Sequence, residues 1–156
     1  MTIDRASPAI DDIIARTDAI VTAPEAALAC DAEALAEELL AAGEAVLESW
    51  LGAHGTVPTN GAVEGFRLLA LHRQGARGDP SFNACRETCR EIVYHRNLIR
   101  LETGAVERAR RVRLAAMVVR HLALFVGGKL ETAGLGEFCC YSRPIRQSEF
   151  SETRTV

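Results

Sequence analysis

The stretch Ala84 to His95, ACRETCREIVYH, places Cys85 and Cys89 one helical turn apart, with His95 six residues after the second thiol. Two thiols and an imidazole are ligands for zinc or a soft transition metal. Whether one helix can aim all three at a single ion is a matter of angles. At ~100° per residue, Cys85 and Cys89 lie about 40° apart, on the side shared by Ile92 and Ile99. By the same count His95 points about 80° from Cys85 and about 120° from Cys89. The three do not converge. A disulfide between the two cysteines is disfavoured as well, because side chains one turn apart on a helix run parallel. Cysteine packs readily as a small hydrophobe, so core filling is the expected role of both, and any chemistry needs a partner from another helix.

Two further residues stand out by position. Arg96 falls within the stripe of Cys85, Cys89, Ile92 and Ile99, where an unpaired guanidinium is heavily penalised and an anionic partner is expected. His121 falls within a second apolar stripe, Leu114, Met117, Val118 and Phe125. Arg96 lies 8 residues before Gly104 and His121 17 after it. At ~1.5 Å per residue, two antiparallel helices joined there would hold them at heights about 13 Å apart. Direct contact is therefore not expected. Arg96 should meet a carboxylate of an earlier helix or a bound anion, and His121 should come level with Cys85 or Cys89. The expected metal set is Cys85, Cys89 and His121, and the expected polar groups for a bound cofactor or ligand are Arg96 and His121. The metal or cofactor itself has no signature in the chain. Each residue also has a structural reading: a thiol that fills core, an arginine paired with Glu44 or Glu107, a histidine hydrogen-bonded across the interior.

Weaker signals frame this set. Glu91 and His95 are four apart, which differs from the Glu-x-x-His spacing of carboxylate-bridged metal sites. His72 could join a site only if the helices brought it there. Cys139 and Cys140, beside Arg143 and Arg146, could have lowered thiol pKa values, although a tail docked through Phe138, Tyr141 and Ile145 accounts for the same residues. Phosphate loops, nucleophile elbows and His-Glu-x-x-His motifs are absent from the sequence.

These groups must be positioned by helices, since 3.6-residue periodicity runs through the chain without a competing strand pattern. Helices are expected over 7–21, with Ile10, Ile13, Ile14 and Thr17 inward, and from a Thr22/Glu25 capping box to about 51, possibly broken at Asp31. Further helices are expected over 60–75, from Asp79 or Ser81 to near Gly104, and on to the Gly127–Gly128 pair. The fold class is all-α: an up-and-down bundle of four long helices plus one short helix, with an irregular C-terminal tail. Residues 1–136 form a single helical-bundle domain, and 137–156 a partly docked or disordered tail.

Composition narrows the function. At 156 residues, 48% hydrophobic and 25% charged, the chain can bury a core without disulfides or metals. Its longest apolar run is interrupted by Arg120 and His121 and falls short of a membrane span. Five cysteines with no leader pattern point to free thiols in a reducing cytoplasm. Residues 1–50 carry 11 acidic and 2 basic side chains against 10 and 16 in the remainder, so the two parts should attract each other. Leu40, Leu47 and Leu51, with Leu68 and Leu71, form second apolar edges that call for a second partner. The leading expectation is a non-enzymatic bundle acting through protein contacts as a homodimer. The alternative is a small-ligand or metal-binding bundle using the interior of the helices over 81–103 and 105–128. Nucleic-acid binding by Arg108, Arg110, Arg111 and Arg113 is the weakest reading, for want of aromatic residues nearby to stack bases.

Overall fold

The computed structural model describes residues 6–134, and the tail with Cys139 and Cys140 lies outside them. Helix α1 spans Ala6–Val21, α2 Glu25–Cys30, α3 Ala32–Ala53, α4 Arg67–Gly78, α5 Arg86–Leu101 and α6 Ala105–Thr132. A 3-10 helix, Pro80–Cys85, leads into α5. The described residues hold no strand, only an isolated bridge between Val63 and Phe66, and no helix long and apolar enough to cross a membrane.

Helices α3 and α6 form the centre. α6 packs on α1, α2, α3 and α5, and α3 packs on α1, α4 and α5 as well. The chain does break at Asp31, which leaves helical geometry between α2 and α3. The expected capping box is not formed. The Thr22 hydroxyl donates back to the carbonyls of Asp18 and Ala19 at the end of α1, and α2 starts after Pro24 with no side-chain cap. In α1, Thr17 is buried and donates to the Ile14 carbonyl at 2.8 Å, which satisfies its hydroxyl inside the core.

Because α3 is enclosed by four helices, its second apolar edge is covered within the chain. Leu47 and Leu51 are buried, as are Leu68 and Leu71 of α4, so the argument that these edges need a further partner does not hold.

α4 starts seven residues later than expected. Val63 and Phe66 exchange backbone hydrogen bonds of 3.0 and 2.9 Å across a two-residue turn, Glu64 with φ 55° and Gly65 with φ 85°. Positive φ at both central positions is the geometry of the tight turns that join paired strands. Glycine takes it freely, whereas Glu64 is strained in it.

α6 continues through Gly127 and Gly128, where the sequence suggested an end. Burial of Val126, Gly127 and Leu130 holds it there, and the left-handed Gly134, φ 74°, follows its C-terminus. The charge asymmetry appears as ion pairs between the two parts of the chain. Arg96 and Arg100 meet Glu37, Arg120 meets Asp18, and Arg67 meets Glu44 and Glu48. Most of these are solvent-exposed, and such pairs contribute little each.

Candidate functional site

The chemistry gathers around Phe82, in the 3-10 helix between α4 and α5. Asp79 sets this turn, its carboxylate accepting from the Ser81 amide at 3.1 Å and hydroxyl at 2.7 Å. Phe82 is fully buried, stacked on Trp50 at 5.1 Å and His72 at 5.7 Å, with Phe125 at 6.3 Å. Its carbonyl faces two donors. His72 Nε2 lies 3.0 Å away, and because a carbonyl only accepts, this nitrogen carries a proton. The Cys85 thiol lies at 3.3 Å.

Cys85 is 2% exposed and Cys89 0%. Cys85 stands at the N-cap of α5, outside helical geometry, so the parallel side chains assumed from the sequence do not apply to it. Its sulfur is within hydrogen-bonding reach of both Cys89 and His72. The Cys89 hydrogen bond, followed by the His72 contacts, outweighs burial and pulls the Cys85 thiol down to about 6. Cys89 is pushed up, as the donor to Cys85 and by burial. For His72, burial opposes the charged form, but Cys85 and the Phe82 carbonyl together raise its pKa. The three groups titrate as a unit: a negative charge, if one forms, resides on Cys85.

The histidine that meets the thiols is thus His72, not His121. His121 is exposed on α6, and Met117 of its supposed core stripe is 53% exposed. The side of α6 that faces the core is Ala109, Val112, Ala115, Ala116, Val119, Leu122, Ala123 and Val126. Small side chains let this face approach its neighbours closely, leaving Met117 and His121 outside and Leu114, Val118 and Phe125 at the edge of the core. The expected metal set of Cys85, Cys89 and His121 is therefore not assembled. Among the described residues no group of three or more His, Cys, Asp or Glu is placed to hold a metal ion. Replacing His121 by Leu should leave the thiol titration unchanged and the folding free energy within about 0.5 kcal/mol of wild type, as for other surface positions. Urea unfolding together with the pH dependence of thiolate absorbance checks this.

Arg96 is half-buried at the edge of α5. Its Nε donates to Glu37 at 2.9 Å and its guanidinium lies 5.4 Å over the Phe66 ring. The expected carboxylate from an earlier helix is present in Glu37, not Glu44 or Glu107. With His121 outside and Arg96 paired, the two expected ligand groups do not share a site. His95 is buried, its Nδ1 without a hydrogen-bond partner. Burial, aided by Arg111 and Arg110 and opposed by Glu91, lowers its pKa.

A cleft of about 280 Å³ opens beside this centre, lined by His72, Arg73, Asn83, Arg86, Arg90 and Glu64 among others. The sequence held a signal for His72: it follows Leu68 and Leu69 by four and three residues, on the side of the helix that carries them inward. No protein-family model, curated protein or solved structure matches the chain.

Proposed function

We propose that the protein is a non-enzymatic helical bundle acting through protein contacts, as a homodimer. In this reading α1, α3, α5 and α6 form the up-and-down bundle and the shorter α2 and α4 complete it. The observation that supports the reading is the two-sided apolarity of α6. Opposite its buried alanine-rich side it carries Met117 and Leu124 outward, flanked by the partly buried Leu114, Val118 and Phe125. A helix apolar on two sides calls for two partners, and the chain itself covers one.

A second copy suits the other side. In an antiparallel pair of α6 helices about a two-fold axis at His121, Met117 falls opposite Phe125 of the second copy, Val118 opposite its Leu124 and Leu114 opposite its Gly128, so the stripe is complementary to itself. Two basic residues of α6 that flank the stripe already have acidic partners, Arg120 in Asp18 and Lys129 in Asp79. Light scattering at micromolar concentration should give a particle of about twice the 16.9 kDa chain mass. A 16.9 kDa particle would remove the proposal.

A second reading, a small-ligand bundle, draws on the cleft beside His72 and Cys85, and it rests on these residues and not on Arg96 and His121. Cys30, Cys85 and Cys89, as free thiols, accord with a reducing cytoplasmic setting within either reading. The arginines that would contact a nucleic acid are engaged within the chain. Arg113 donates to the Val21 and Ala23 carbonyls, Arg108 to the Glu102 carbonyl, and Arg110 and Arg111 pair with Glu107.

A further inference from the structure

We propose that the cleft between α4 and the start of α5 binds a small oxyanion, a phosphate or carboxylate group, through Arg73, Arg86 and Arg90. This site is independent of the α6 contact. The three guanidiniums, with the Asn83 amide and the buried His72 imidazole, line one cavity of about 280 Å³. That volume lies near the lower end for small-molecule sites and leaves room for an organic group beyond the oxyanion.

Three like charges around a small cleft repel one another, and an anion bound between them relieves that repulsion. The chain itself supplies little compensation. Glu64 is the one acidic residue of the lining, and both its oxygens are taken by Arg90 at 3.0 and 3.2 Å. Arg86 meets only the adjacent Glu87, at 3.2 Å, with both side chains largely in solvent, where such a pair contributes little. Arg73 has no ion pair among the described residues, and Arg86 has only this exposed one. Guanidinium forks match the paired oxygens of phosphate and carboxylate.

One further feature favours an anion here. His72, whose pKa is raised, brings a further positive charge when protonated. Glu64 reaches Arg90 from a strained left-handed backbone. It acts as an internal counter-charge that an incoming oxyanion competes with.

The test is titration of the full chain by calorimetry with inorganic phosphate, and separately with malonate, at constant ionic strength held by chloride. Saturable one-to-one binding of at least one probe is expected. Arg73→Gln and Arg86→Gln should each weaken it about tenfold or more, as loss of a charge-assisted hydrogen bond does. Glu64→Gln should tighten it several-fold by freeing Arg90, and Glu33→Gln, remote on α3, should leave it unchanged. Circular dichroism confirms that each variant is folded. Saturation by phosphate alone assigns a phosphate ester as the ligand class, and saturation by malonate alone a carboxylate. The proposal is overturned if neither probe saturates, or if the folded Arg73→Gln and Arg86→Gln proteins bind like wild type.

Discussion

Replacing Phe82 by Ala should cost about 3 to 5 kcal/mol of folding free energy, the range for truncating a buried aromatic. Phe82 has no exposed surface and touches the rings of Trp50, His72 and Phe125, which come from three different helices. The space left behind cannot close easily, because the opposite wall is backbone. A Cβ placed on Gly75 would lie 2.8 and 2.9 Å from two Phe82 ring carbons, so α4 already touches the ring through its glycine. A loss of this size is a large part of the stability of an ordinary domain. Urea unfolding at neutral pH measures it, and a loss below about 1 kcal/mol would mean that Phe82 is not the centre of the packing described.

The second large effect is on acidity. In the folded protein a thiolate should appear as pH rises through about 6, on Cys85, whereas an ordinary cysteine ionises near 8.5. Thiolate absorbance read against a Cys85→Ala control isolates the group. The Cys89 hydrogen bond is the largest contribution to the lowering, so Cys89→Ala should move this titration upward. For an acid whose folded pKa is depressed, the stabilisation is fully present above the unfolded pKa and is lost as pH falls through the folded one. The stability of wild type relative to Cys85→Ala should therefore rise between about pH 6 and the ordinary thiol range. A Cys85 that ionises at or above the ordinary value would contradict the geometry assigned to His72, Cys85 and Cys89.

Much of the helical layout was legible because periodicity and punctuation agree. Asp31 broke the long helix where its poor helix propensity suggested, and the Gly104 turn lies between α5 and α6 as expected. The rotation of α6 was not legible. Both of its sides are apolar, one rich in alanine and the other in Leu, Met and Phe, and a stripe of large residues is the stronger periodic signal. The alanine side faces the core because small residues let helices pack closely, a fact of the neighbours and not of α6 alone. His121 followed the wrong side for this reason. Cys85 and Cys89 are buried, as their positions in the sequence suggest, but Cys85 lies outside helical geometry. The 3-10 turn set by Asp79 and Pro80 moves it to the N-cap and brings it to His72, a juxtaposition between α4 and α5 that no local pattern encodes.

The claim that α6 presents its outward face to a second copy is tested most directly by particle mass for wild type and Met117→Glu, measured side by side by light scattering at the same micromolar concentration. Met117 is 53% exposed, so the substitution leaves the core of the monomer intact, and it places a charge in the middle of the proposed contact. Wild type should scatter as about two chains of 16.9 kDa, and folded Met117→Glu as one. Equal masses for the two proteins, whether one chain or two, would contradict the account.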